Sequence, residues 1–253
     1  MKQAMVFAAG LGTRLKPLTD TMPKALVRVG GQPLLWHVIM KLKAAGYERI
    51  VVNVHHFAQQ IVDYLSTNDN FGLDIRISDE TSGLLETGGG IRKAMPLFDP
   101  SSPVLIHNVD ILSNFSGEWR VESGEFLRPS GSKPAELERA TAIPDALLLV
   151  SERKTKRYLL FDDDLRLQGW TNIETGEVKG RVGDRRLAFS GIHVLWPTIF
   201  PLLEQMPERF PIMDFYLKVC ADCLIRGYEQ KDLRLLDVGK LDTLDQANEF
   251  ITK

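Results

Sequence analysis

The sequence predicts an α/β fold, a three-layer domain whose mixed, mainly parallel sheet is covered by helices on both faces. Three observations predict it. Strand and helix patterns alternate through the first 110 residues. The strand candidates there are short, apolar and mostly without polar alternation, as parallel strands buried on both faces are. The first of them, Ala4–Ala9, runs straight into a glycine-containing turn. That turn lies at the carboxyl end of a strand, where open α/β sheets bind their ligands.

In chain order, the expected strands of the first half are Ala4–Ala9, Arg49–Val54, Asp74–Ser78 and Pro103–His107. Helices are expected at Pro33–Ala45, Phe57–Thr67 and Thr87–Met95. Pro33 suits a first helical turn and Gly46 a helix stop. Residues 113–143 are rich in Ser, Gly, Pro and charge and show no long apolar face, so they read as a loop with one short helix. A strand then returns at Ala146–Ser151. A hairpin of Tyr158–Phe161 and Leu165–Trp170 follows, turning at Asp162–Asp164. The remaining elements are a strand at Leu187–Leu195, an amphipathic helix at Ile212–Arg226, a strand at Leu233–Val238 and a closing helix at Thr243–Ile251.

Composition excludes several classes of function. The 253 residues suffice for a sizeable core, and a quarter of them are charged, as in ordinary globular proteins. The net charge of −2 and the lack of any strongly basic run leave no footprint for nucleic acid. No apolar stretch approaches the roughly 18 residues of a membrane span, and no signal-peptide core precedes the first strand. A cytoplasmic location is the expectation. Cys220 and Cys223 form a C-x-x-C without a matching second pair, and read as two buried helix thiols. His55 and His56 point to opposite faces of a strand end, which favours structural roles.

Three stretches carry chemistry. The first is Ala9-Gly10-Leu11-Gly12-Thr13-Arg14-Leu15-Lys16-Pro17-Leu18-Thr19, followed by Pro23-Lys24. Glycines let backbone N–H groups approach a polyphosphate, and Arg14, Lys16 and Lys24 lie within reach of the same anion. The stretch is neither a P-loop nor a dinucleotide fingerprint, because Leu15 stands where the third glycine should be. Taken alone, the glycine pair also reads as a tight turn. The second is Leu85-Glu86-Thr87-Gly88-Gly89-Gly90, where three glycines at a helix start would admit a flat ring or make a flexible turn. The third is Leu105-Ile106-His107-Asn108-Val109-Asp110. Its strand-end carboxylate could hold a divalent ion or cap the next turn. Asp237 in Leu236-Asp237-Val238-Gly239 is a similar strand-end carboxylate, and without further context an ordinary turn residue.

The complete string G-L-G-T-R-L-K-P-L-T with the later P-K resembles the signature of the nucleoside-diphospho-sugar pyrophosphorylases, or sugar-1-phosphate nucleotidyltransferases. The resemblance is strong over residues 4–110 and patchier from 146 onward. It implies a single Rossmann-like domain of glycosyltransferase-A type over residues 1–253. Residues 1–110 would be the nucleotide-binding half, 145–253 a small β-rich sugar-phosphate half, and 113–143 an insertion between them.

The implied reaction is Mg2+-dependent transfer of a nucleoside monophosphate from an NTP to a sugar 1-phosphate. Arg14 and Lys24 would be catalytic. Ala9, Gly10, Leu11, Gly12, Thr13, Glu86, Thr87, Gly88, Gly89 and Asn108 would hold the nucleotide. Arg157, Asn172, Glu174 and Gly191 would hold the sugar, and Asp110 with Asp237 the metal. The family pattern has glycine where this chain has Val109, which puts the local backbone in question. The L-E-T-G-G-G form resembles that of N-acetylmuramate-1-phosphate uridylyltransferases and of mannose-1-phosphate guanylyltransferase-like proteins. UTP with N-acetylmuramic acid 1-phosphate is therefore the favoured pair, and GTP with mannose 1-phosphate the second. A CTP-dependent enzyme acting on a phosphocholine-type acceptor and a non-catalytic sugar-nucleotide regulator are the alternatives. The protein is expected to be a monomer or homodimer.

Overall fold

Successive residues of the first strand, β1 (Gln3–Phe7), serve opposite faces of the sheet. Ala4 and Val6 pack into one apolar cluster and Met5 into another. The computed structural model describes residues 1–118 and 143–252. Most of the segment expected to carry an inserted loop and short helix lies outside the described residues.

After β1, a small hairpin of β2 (Arg28–Val29) and β3 (Gln32–Pro33) leads into α1 (Leu34–Ala44). Then come β4 (Arg49–Val54), α2 (Ala58–Thr67), β5 (Asp74–Asp79), α3 (Glu86–Ala94) and β6 (Val104–Asn108). Strands β5, β4, β1 and β6 lie side by side and parallel. The crossover helices bury their apolar stripes on the two faces, α1 and α2 on the Val6 side and α3 on the Met5 side. This arrangement of a parallel core between helices is the predicted one.

The second half extends the sheet with antiparallel neighbours. After the short β7 (Ile111–Ser113) come β8 (Ala146–Ser151), β9 (Arg157–Phe161), β10 (Leu167–Asn172), β11 (Glu177–Gly180) and the long β12 (Arg185–Leu195). One end of β12 pairs with β6 and β8, the other with β9, so this strand joins the parallel core to the β9–β10–β11 meander. Asp162 makes the predicted hairpin turn, its carboxylate accepting from Asp164 N, Arg166 N and the Gln168 side chain.

The expected helix Ile212–Arg226 is corrected. It stops at Val219, and Ile225–Glu229 forms β13, parallel to β8. Ile225 is buried in the second cluster by strand pairing, which a helical reading of the same apolar residues had absorbed. Cys220 and Cys223 are both free thiols past the end of the helix and only partly buried. A short β14 (Leu235–Asp237) pairs with β7, and the closing helix runs Leu244–Thr252.

A buried imidazole makes this fold acid-labile. His193 Nδ1 is hydrogen bonded to the Tyr216 hydroxyl, and burial pushes its pKa down to about 3. Burial likewise lowers His107 to about 4. An unfolded chain protonates histidine near 6.5, so below that pH it binds protons that the folded chain refuses. Stability is therefore full above pH 6.5 and falls as the pH drops toward these values, by about 1.4 kcal/mol per pH unit for each proton. Urea unfolding at pH 7.5, 6 and 5 should show this loss, and His193→Gln should make it shallower. An unchanged slope in the variant would remove His193 from the account.

Candidate active site

At the carboxyl ends of β1, β4 and β6 lies a cleft of about 460 Å3. Its floor is the turn after β1. Ala8 N and Ala9 N donate to Asn53 Oδ1 at 2.7 and 3.3 Å. Asn53 Nδ2 in turn donates to the buried Glu80 carboxylate at 2.7 Å, and Glu80 also accepts from Leu85 N. This Glu80–Asn53 relay holds the start of the glycine turn and joins it to the start of α3. Sequence reading missed both residues; the signal was an Asn inside an otherwise apolar strand and a Glu just past the next one.

The two turn glycines differ. Gly12 sits at φ +62°, and a Cβ there would meet Thr19 Cγ2 at 2.8 Å. Its carbonyl accepts from Leu15 N and from Thr19 Oγ1. Gly12 is thus needed for the fold of the turn. Gly10 has open space where a side chain would be, and it lines the cleft.

Charge gathers on the far wall. Lys24 is nearly buried and pairs with Asp110. Val238 N donates to Asp110 O at 2.8 Å, and the β7–β14 register sets Asp237 opposite Ile111. The two aspartates are therefore neighbours, although 127 positions separate them. Desolvation, then the Asp110 carboxylate, raise the Asp237 carboxyl above its usual range, while Lys24, Arg14 and Arg153 pull it down. Arg14 reaches the same place: a Cβ on Gly239 would lie 2.7 Å from both Arg14 Nη2 and Asp237 Oδ1. Val109 is buried and is not among the residues at positive φ, so this position has no need of glycine. Among the described residues no cluster of three or more His, Cys, Asp or Glu is arranged to hold a metal.

The cleft brings together Ala9, Gly10, Leu11, Gly12, Thr13, Arg14, Lys24, Glu86, Thr87, Asn108 and Asp110. Asp237 stands at its edge beside Gly239. Gly191, at φ +77°, lies behind Asn108, where a Cβ would come 2.5 Å from Asn108 Nδ2. Other expected residues lie elsewhere. Lys16 pairs with Asp20 at 3.0 Å in solvent, away from the cleft. Asn172 and Glu174 build their own turn, with Asn172 Oδ1 accepting from Glu174 N, and Glu174 pairs with Lys156. Arg157 lines a second cavity, of about 340 Å3, against the β9–β11 meander.

Gly88 and Gly89 are not on the cleft wall. Their N–H groups donate to Phe210 O, and a Cβ on Gly88 would lie 2.2 Å from the Phe210 ring. Gly88 and Gly89 let residues 208–210 press against α3, while Gly90 leaves room for Glu80, Phe7 and Asn53. Gly88→Ala should therefore cost about 1–3 kcal/mol of stability by overpacking, whereas Gly10→Ala should cost less than about 0.5. Urea midpoints of the two variants decide it; equal values would mean that the Phe210 contact yields.

Comparison with known proteins places the chain in a family. A family model described as nucleotidyl transferase matches residues 3–123. The N-acetylmuramate alpha-1-phosphate uridylyltransferase of Neisseria meningitidis serogroup B (strain MC58) is 45% identical over 251 residues, covering 97% of this chain and 96% of that protein. The chain belongs to the nucleotidyl transferase family. A second protein of the same name, from Caulobacter vibrioides, is 50% identical to this nucleotidyltransferase over 111 residues. That match covers 43% of this chain and 46% of the relative. The solved inositol-1-phosphate CTP transferase of T. maritima shares the fold, with a TM-score of 0.73 at 17% identity over 100% of this chain and 96% of that one. No helix among the described residues of this nucleotidyltransferase is long and apolar enough to cross a membrane.

Proposed function

We propose that this nucleotidyltransferase moves the uridylyl group of UTP onto N-acetylmuramic acid 1-phosphate and releases pyrophosphate. The observation that carries the chemistry is the meeting of Arg14, Lys24, Asp110 and Asp237 beside a glycine turn that lines the same cleft. The choice of substrates rests on the likeness to the meningococcal enzyme along nearly the whole chain.

The acceptor is already ionised, so the reaction needs positioning and charge stabilisation more than a general base. The sugar-phosphate oxygen attacks the α-phosphorus in line. The bond from that phosphorus to the oxygen bridging to the β-phosphate breaks, and pyrophosphate leaves with the electron pair. Gly10, Leu11 and Gly12 offer backbone donors to the triphosphate. Arg14 takes charge on the leaving pyrophosphate through its planar fork. Lys24, a compact cation held at the cleft wall, lies between the α-phosphate and the incoming phosphate. Glu86, Thr87 and Asn108 line the nucleoside side.

Asp110 and Asp237 would hold Mg2+. Two converging carboxylates without a larger cage suit an ion that takes one or two protein ligands and completes its shell with phosphate and water. Bound there, the ion would supply charge neutralisation for the two anions. The raised Asp237 carboxyl marks the same unmet demand for positive charge.

Pyrophosphate release with Mg2+ tests this reading. UTP, GTP, CTP, dTTP and ATP would each be crossed with the 1-phosphates of N-acetylmuramic acid, N-acetylglucosamine, mannose and glucose. The highest kcat/KM is expected for UTP with the muramic acid derivative. Turnover confined to another pair would replace the substrates. Silence from folded protein that still binds a nucleotide would leave a regulator.

A further inference from the structure

The second cavity is linked to the first through β12 and Arg153. Phe189 lines it, and Gly191, in the bulge of β12 that follows, lies against Asn108 of the cleft. Arg153 belongs to both environments: it lines the second cavity, donates to Phe189 O at 2.8 Å and stabilises the charge on Asp237.

Its composition is unusual for a site that binds a neutral sugar. The register places Arg157, Asn172 and Glu177 in one cross-strand row of the meander, and Leu159, Trp170 and Lys179 in the next, all on one face. Trp170, Tyr158 and Phe189 offer flat apolar walls. Around them stand three cations, Arg153, Arg157 and Lys179, against one acid, Asp214. Lys179 lies 5.6 Å from the Trp170 ring centroid and is held only loosely by Glu177 at 3.7 Å and Asp214 at 3.9 Å. Among the described residues no carboxylate pairs with Arg157. A guanidinium left unpaired at the rim of an aromatic cavity is set to receive an anion.

We infer that this cavity reads a carboxylate on the acceptor sugar, with Arg157 as the principal partner and Lys179 across the cavity as the second cation. The inference rests on the proposed acceptor, since N-acetylmuramic acid differs from N-acetylglucosamine by a lactyl ether that ends in a carboxylate. The phosphate would anchor the sugar at Lys24, the aromatic walls would hold the ring, and Arg157 would distinguish the acidic sugar from its neutral parent. Arg157 is then a specificity residue with no part in the chemical step.

A cycle between protein and substrate tests it. Wild-type protein and Arg157→Ala are assayed at saturating UTP with N-acetylmuramic acid 1-phosphate and with its lactyl amide. For the wild type, amidation should lower kcat/KM about tenfold to a hundredfold, mainly through KM. Arg157→Ala should lose a similar factor on the acid and be nearly indifferent to amidation. Arg157→Lys should recover part of the loss, because a cation is restored without the fork. Equal sensitivity to amidation in wild type and Arg157→Ala overturns the inference. A wild type that turns over neither compound but works on another sugar 1-phosphate overturns the proposed acceptor instead.

Discussion

Lys24→Met should lower kcat/KM by about a thousandfold or more while leaving the protein folded. The estimate follows from what removal of a single well-placed donor costs in other reactions that develop negative charge. Here the lost group is a full cation between two phosphates, so the effect belongs at or above that range. Met keeps the aliphatic stem, which matters because Lys24 is 8% exposed and packs beside Gly12 and Thr19. Asp110 loses its ion-pair partner, but its side chain is 21% exposed and water can solvate it. Stability should therefore change little. Pyrophosphate release and a thermal melt on the same preparation check both halves. A rate within tenfold of wild type, with the melt unchanged, would remove Lys24 from the chemistry.

The contrast between Lys24 and the glycines of α3 shows what a sequence can and cannot disclose. The later part of the turn after β1 is legible because its bonds are local: Leu15 N and Thr19 Oγ1 both donate to Gly12 O within seven positions. The parallel core is legible because buried strands such as Arg49–Val54 are mostly apolar, and their ends match the observed ones closely. The packing role of Gly88 and Gly89 is not legible, because the group that requires them, the 208–210 segment, is about 120 positions away. A chain of single residues shows that a side chain is missing, but not which neighbour fills the space.

The same distance hides the buried relay. Glu80 and Asn53 are ordinary letters until β4 and β5 pair in register and α3 closes over them. Asn172 and Glu174 show the opposite case, since the structure gives their polarity a local turn to serve. The late helix over-ran because Ile225 satisfies a helical stripe as readily as a buried parallel strand. Only the vacant edge of β8 decides between them.

Asp237→Asn should separate function from stability most cleanly. Asparagine keeps the size of the side chain and removes one of the two carboxylates proposed to hold Mg2+. Turnover should fall about a hundredfold or more, and the Mg2+ concentration giving half-maximal rate should rise several-fold. Stability should change little. Asp237 is exposed at the end of β14, so water screens the influences that raise its carboxyl, and Lys24, Arg14 and Arg153 act against them. A structural carboxylate would show the reverse, with a lowered melting temperature and a normal requirement for Mg2+. The pair of measurements, a Mg2+ titration of the rate and a thermal melt without nucleotide, therefore distinguishes the two roles. Loss of both activity and stability would mean that Asp237 chiefly holds β14 against β7.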